Sequence, residues 1–297
     1  VFASMATEAL FNKLSGKKST LNDFSAVVTG LLLGMTLPAG FPLWMGAVAS
    51  FTAIAMGKTL FGGLGFNVFN PALVGRAFIQ AAFPVSITTW TPALATDRFI
   101  EFIPSSLAVP FMKPLPTADW SVQAAVDGFT GATPLALMKF QGIFTDTSEL
   151  FLGTIAGSTG ETSSLLILLC GAYLMARKML DWRIPAAVLF GTALTAEFFY
   201  YLDPNLYPTP AFMLFSGGLM FAAVFMASDM VASPVTPLGI FVFGCLVGFL
   251  TVIIRLFGGL TEAVMYAILF ANAATPIIES YTQPRIFGAR KKAQGKS

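Results

Sequence analysis

Apolar stretches interrupted by glycine and proline govern what this chain can become. They lie near residues 24–37, 43–57, 68–83, 163–178, 185–202, 211–230, 238–256 and 262–281. The later ones reach the roughly 20 residues that a helix needs to cross the hydrocarbon core of a bilayer. The first three are short. Pro38-Ala39-Gly40-Phe41-Pro42 parts one pair and Gly62-Gly63-Leu64-Gly65 interrupts the next. Hydrocarbon cannot solvate free peptide groups, so broken helices are tolerated at membrane depth only against protein or a cavity. The expected fold is all-α, a polytopic membrane protein with about 8–10 transmembrane helices. Short broken helices are expected to surround an internal site.

The composition agrees. Of the 297 residues, 56% are hydrophobic and 11% charged, where soluble domains carry about 25% charged residues. The whole of 1–297 reads as a single integral membrane domain. No cleavable signal peptide is visible, because Val1–Phe11 reads as the tail of a helix and basic residues follow it rather than precede it. A preceding segment is expected to be missing. The net charge of +2 is too small for a nucleic-acid partner. There is no histidine, and Cys170 and Cys245 are the only cysteines. Four-thiolate iron–sulfur ligation and histidine-ligated haem or zinc are therefore excluded within this chain. Both cysteines lie in apolar runs and read as core residues. A redox role would have to rest on an organic cofactor.

Basic residues set the expected orientation. Lys13, Lys17 and Lys18 share one loop, Arg177, Lys178 and Arg183 another, and Arg290, Lys291, Lys292 and Lys296 the tail. The positive-inside rule puts all three clusters in the cytoplasm. Counting crossings from either end makes 84–160 an extracytoplasmic segment. Leu60-Phe61-Gly62-Gly63-Leu64 recurs as Leu256-Phe257-Gly258-Gly259-Leu260. Their opposite sidedness suggests an inverted repeat, a plan found in many transporters.

The long polar break contains Asp127-Gly128-Phe129-Thr130-Gly131-Ala132-Thr133, followed by Pro134. Gly131 and Ala132 leave little bulk before the Thr133 hydroxyl, and Gly131 can adopt positive φ. Asp127 could hold a metal or polarise that hydroxyl during a transfer. A second reading needs no cofactor: Thr133 caps a helix with Pro134 at its first position. The two are compatible, since a helix start is a good place to hold a phosphate. The seven residues resemble the D-G-x-S/T-G-A-T acceptor motif of bacterial membrane proteins that carry FMN, joined through its phosphate to the last threonine by a flavin transferase. The resemblance implies covalent FMN on Thr133, with Asp127, Thr130, Gly131 and Ala132 around it.

A wider resemblance covers nearly the whole chain. It runs through Gly62-Gly63-Leu64-Gly65, Asn67-Val68-Phe69-Asn70-Pro71-Ala72, Thr133-Pro134-Leu135, Gly157-Ser158-Thr159-Gly160-Glu161-Thr162-Ser163, Asp181-Trp182-Arg183-Ile184-Pro185 and Phe257-Gly258-Gly259. These resemble the RnfD/NqrB family, and the ending Tyr281-Thr282-Gln283-Pro284-Arg285-Ile286-Phe287-Gly288 is more similar to RnfD. At Ser216-Gly217-Gly218-Leu219 the chain lacks the acceptor threonine of a second S-G-A-T often found there. One covalent flavin is therefore implied, and a noncovalent riboflavin is possible by analogy with NqrB. The resemblance implies a multi-pass subunit in the bacterial cytoplasmic (inner) membrane, with Thr133 on the extracytoplasmic face. It would work in an Rnf complex that moves electrons between ferredoxin and NAD while driving Na⁺ or H⁺ outward. Implied partners are a second covalent-FMN subunit, iron–sulfur subunits, the flavin transferase and membrane lipid. The alternatives are an NqrB-type subunit of a sodium-pumping quinone reductase, a non-redox inverted-repeat transporter, and a structural scaffold.

Charges inside apolar segments are the remaining candidates, because each costs roughly 2.5–3.5 kcal/mol at mid-bilayer on insertion scales. Glu197 is the candidate for a cation path. Arg76 and Asp229 read as residues near an interface, and Asn70 and Asn272 as helix caps.

Overall fold

Among the described residues four helices begin at an Asn-Pro or Thr-Pro pair, and these pairs set the frame. Proline at the first helical position loses nothing by lacking an N–H, and the residue before it caps the exposed amides. Asn70 accepts from the Ala72 and Leu73 amides at 3.0 and 3.3 Å. Thr133, Thr209 and Thr236 accept from Ala136, Phe212 and Gly239 respectively. The structure is a computed structural model and describes residues 1–91, 103–112, 132–204 and 206–284.

Regular secondary structure among the described residues is entirely helical. The first half holds α1 (Phe2–Leu14), α2 (Ser25–Met35), α3 (Leu43–Ile54), α4 (Pro71–Ala82), α5 (Pro84–Thr88), α6 (Pro134–Gln141) and α7 (Thr147–Leu152). The second half holds α8 (Ser164–Ala176), α9 (Arg183–Leu202), α10 (Pro210–Phe215), α11 (Leu219–Phe221), α12 (Pro237–Phe257) and α13 (Val264–Thr282). By length and hydropathy, α9 and α12 are the two described helices able to cross a membrane unaided. The other apolar stretches fold as shorter pieces, as the glycine and proline breaks require.

The stretch 211–230, expected as one crossing, is broken instead. Helix α10 stops at Phe215, the chain turns through Ser216-Gly217-Gly218, and α11 runs into a π-helical turn, Ala222–Met226. Gly217 adopts φ +61°, and a Cβ there would come within 2.6 Å of Leu135 Cδ1. A Cβ on Gly218 would meet the Glu161 carboxylate at 2.7 Å. Close approach of two other segments therefore makes the break. A second π turn, Ala55–Thr59, follows α3. It carries buried Lys58, which donates to Glu8 Oε1 at 2.7 Å and to Ser25 Oγ at 2.5 Å, tying α1 and α2 together.

The main core lies between α9, α12 and α13, where Val188, Phe243, Val247 and Ile268 are fully enclosed and Leu73 of α4 joins them. Helices α9 and α12 cross closely because glycines face the contact. A Cβ on Gly191 would lie 2.7 Å from Cys245 Cα, and Gly244 and Gly248 abut Ala187, Val188 and Thr192. Membrane helices associate through such small residues because lipid offers no hydrophobic drive.

Three sequence expectations change here. Asn272 lies inside α13 and caps nothing. With its amide turned to satisfy both neighbours, it donates to Ala232 O and accepts from the Asn70 amide, each at 3.3 Å. Cys170 is exposed on α8 rather than in the core, and Cys245 is half-buried. The two Leu-Phe-Gly-Gly-Leu copies take different backbones. Gly62 and Gly63 have φ +120° and +116° in a loop, whereas Leu256 and Phe257 close α12.

Substituting Gly191 with Val should force α9 and α12 apart. Overpacking of this kind costs about 1–3 kcal/mol. The expected result is a lower midpoint for loss of folded protein on heating in detergent, with Gly259→Val, where a Cβ has open space, as the neutral control.

Candidate functional site

Thr133 sits at the start of α6 with 3% of its surface exposed. Its φ of −75° and ψ of 159° are extended, and its hydroxyl is the helix cap. The bond from the Ala136 amide is long, 3.3 Å, and the Thr133 carbonyl accepts from Leu137 at 2.9 Å. Beside Thr133 opens a cavity of about 350 Å³, within the roughly 300–1,000 Å³ of small-molecule sites. Ile87, Trp90 and Phe140 give it apolar and aromatic walls, and Gln80 and Glu262 supply polar edges. Ala132 also lines it. Asp127, Thr130 and Gly131 lie outside the described residues.

A void of only about 10 Å³, room for one water, also touches Thr133 and is bounded by Gly157, Ser158, Glu161, Gly217 and Glu262. The 157–161 turn is pinned to the end of α2. Thr159 and Gly160 amides donate to Leu37 O at 3.1 Å and Met35 O at 2.8 Å, and the Thr159 hydroxyl donates to Leu37 O at 2.9 Å. These bonds occupy carbonyls that a helix end leaves open. The turn is thus fixed in position, with Ser158 1% exposed.

Around these cavities lies a buried charge cluster. Arg76, on α4, donates to Glu161 Oε1 and to Glu262 Oε2, both at 2.5 Å. Arg255, near the end of α12, is 1% exposed and donates to the Met213 and Ser216 carbonyls at 2.6 and 2.9 Å. Two arginines and two glutamates sum to zero charge. The cluster binds α4, the 157–161 turn, the end of α10 and the 258–263 connection. Lys139, on α6, anchors the same connection by donating to Arg255 O at 2.9 Å and to Gly258 O. Burial holds the Lys139 ammonium below its ordinary pKa.

The sequence places Arg76 near an interface. It is instead 4% exposed and central, because two carboxylates from distant segments reach it. Asp229 is half-buried and accepts from Asn67 Nδ2 at 3.4 Å and from the Val231 amide at 3.1 Å. Glu197 is exposed on α9 and makes no hydrogen bond or ion pair among the described residues. Neither joins the cluster at Thr133. Glu161, Glu262, Arg255 and Ser158 do not stand out as site residues in the sequence. The available signal is charge in apolar surroundings, which marks Arg76 but passes over its partners.

The fold and site define an all-helical membrane protein whose broken helices meet at a buried ion cluster beside a helix-capping threonine and a ligand-sized cavity. The chain belongs to the NQR2, RnfD, RnfE family, whose profile matches residues 1–288. It is 41% identical over 297 residues to the D component of the Na(+)-translocating ferredoxin:NAD(+) oxidoreductase complex of Acetobacterium woodii, covering 98% of this chain and 81% of that one. It is 39% identical to the D component of the proton-translocating ferredoxin:NAD(+) oxidoreductase complex of Clostridium ljungdahlii, covering 98% and 82%. The D component of the ion-translocating oxidoreductase complex of Alcanivorax borkumensis is 38% identical, covering 99% and 85%.

Replacing Arg76 with Gln should leave two carboxylates buried without their cation. Breaking a buried pair in this way typically costs about 3–5 kcal/mol. The protein should then fail to accumulate in membranes on immunoblots. Adding Glu161→Gln and Glu262→Gln should recover much of the lost protein, because the stranded charges go with them.

Proposed function

We propose that this chain is a membrane subunit of an ion-translocating ferredoxin:NAD oxidoreductase complex, and that it carries FMN esterified to Thr133. The complex-level reading rests on near-full-length similarity to relatives named as components of such complexes. The cofactor reading rests on one observation: Thr133, last residue of the acceptor-like motif, opens at a helix start onto a cavity of about 350 Å³ with aromatic walls.

The residues present suit the group. A flavin ring is flat and largely apolar, and Ile87, Trp90 and Phe140 offer a matching wall. A phosphoester wants a nearby amide donor, and at the α6 N-terminus, where Pro134 has none, the Ala136 amide already lies 3.3 Å from Thr133 Oγ1. Attachment needs an activated flavin phosphate, by class a flavin dinucleotide. The P–Oγ1 bond forms as the pyrophosphate bond breaks, a nucleoside monophosphate leaves, and the hydroxyl proton passes to a base on the transferase. When bound, the flavin supplies one- and two-electron chemistry that the side chains of this chain cannot. Arg76 and Arg255 hold the surrounding segments so that the cavity keeps its shape. The partners carried by this reading are the flavin transferase, a second covalent-FMN subunit and iron–sulfur subunits, in the bacterial inner membrane. Noncovalent riboflavin elsewhere in the chain belongs to the same reading.

Thr133→Ala should abolish ultraviolet fluorescence of the denatured chain in a gel while the protein still inserts, and Thr133→Ser should keep part of it. Full fluorescence in Thr133→Ala would sink the assignment. The extracytoplasmic position of the site has its own test. With Cys170 and Cys245 replaced by Ser, a cysteine at exposed Ser148 should react with a membrane-impermeant thiol reagent outside intact cells. A cysteine at Lys17 should stay unlabelled, and the reverse pattern would contradict the orientation.

A further inference from the structure

We infer that Gln80 reads the imide edge of the flavin ring, its side-chain carbonyl accepting from the ring N3–H and its amide donating to a neighbouring ring carbonyl. The inference rests on the covalent-FMN reading and adds the residue that orients the ring within the cavity. Gln80 lies on α4 one turn beyond Arg76, so the two side chains share a face of that helix. It lines the cavity of about 350 Å³, is 9% exposed and makes no hydrogen bond among the described residues. A buried amide without partners is costly, because it has given up water and gained nothing in return.

The other polar side chains on the wall are engaged or wet. Thr88 donates to Pro84 O at 2.8 Å. Glu262 gives Oε2 to Arg76, and Thr133 accepts from the Ala136 amide. Thr261 is half-buried, where water reaches it. Among the described residues, Gln80 is therefore the lining side chain that is polar, buried and unpartnered. Its neighbours on the wall, Ile87 and Trp90, are buried and apolar and offer it nothing.

Chemistry selects the ligand atoms. An oxidised flavin ring carries a single N–H, at N3, set between two carbonyls, and its other heteroatoms only accept. A primary amide has an acceptor and two donors. It can pair with N3–H and one ring carbonyl together, as Gln pairs bidentately with the edge of a base. The Glu262 carboxylate only accepts, so it cannot take this place, and it disfavours ring carbonyls turned towards it. With the phosphate end held at Thr133, Gln80 supplies the second anchor and decides which edge of the ring is turned to α4.

The test uses the full chain, co-expressed with its flavin transferase and purified in detergent. Gln80→Leu keeps the volume and removes donor and acceptor, whereas Gln80→Glu keeps the shape and removes the donor. Covalent flavin is measured first by in-gel fluorescence, and the Thr133→Ala chain gives the baseline for flavin held without a covalent link. In a reductive titration Gln80→Leu should lower the flavin midpoint potential, because the amide donor favours the electron-rich reduced ring. The expected change is about tenfold in the equilibrium between reduced and oxidised flavin, which is about 30 mV for a two-electron couple. Gln80→Glu should lower it at least as far. In infrared difference spectra a flavin carbonyl band should move to higher frequency in both variants, a shift that a purely structural role does not produce. Unchanged potentials and carbonyl bands in a variant that carries covalent flavin overturn the proposal. Failure of both variants to accumulate with covalent flavin would give the amide a packing role and overturn it as well. A parent chain without in-gel fluorescence is seen before any titration, and it contradicts the covalent-flavin reading instead.

Discussion

Arg76 and its two carboxylates are the interaction on which the rest of the structure depends. Glu161 and Glu262 lie 85 and 186 residues away in the chain, and one guanidinium holds both. Each comes from a different connection, so this one side chain joins α4 to two loops that have no helix pairing between them. Such a fork suits Arg, whose planar donors reach two acceptors at fixed angles. Desolvating three charges is expensive, and replacing them all with apolar groups is often neutral or stabilising. Here the network lies against the cavity at Thr133, through Glu262, which lines it. The charged cluster is best understood as a positional device.

Breaks in the helices and the charge cluster are two parts of one arrangement. Helix α10 stops where Gly217 and Gly218 let Leu135 and Glu161 approach the backbone. The carbonyls released by that stop, at Met213 and Ser216, are taken by Arg255. In hydrocarbon they would otherwise cost several kcal/mol each. At the start of the helix that carries Arg76, Asn70 caps α4, donates its side-chain amide to Met226 O at 3.2 Å and its backbone amide to Asn272. Each interruption thus hands its unpaired backbone groups to a side chain from another segment, and those side chains bind the two halves together.

What is legible in the sequence is local, and what escapes it is long-range. Thr133-Pro134 announces a helix start because capping depends on two adjacent residues. The breaks at Gly62–Gly65 and Pro38–Pro42 are legible for the same reason. The interruption at Gly217 is not, since the stretch around it is apolar and Leu135 and Glu161, both far off in sequence, explain it. Glu161 is visible within a family-like stretch, but its role needs Arg76 in space. Glu197 draws attention by hydropathy alone. Its neighbour Ala196 is buried, and one residue along a helix turns the side chain by about 100°, which takes Glu197 to the outer face.

The central claim is that Thr133 bears an FMN phosphoester, and the mass of the peptide that contains it tests this most directly. The complex should be purified from a host with its flavin transferase, and the chain cleaved and analysed by tandem mass spectrometry. The account predicts a Thr133 peptide heavier by one FMN less one water, with fragment ions placing the added mass on Thr133. An unmodified peptide at full yield, from a chain folded and assembled in its complex, would contradict it.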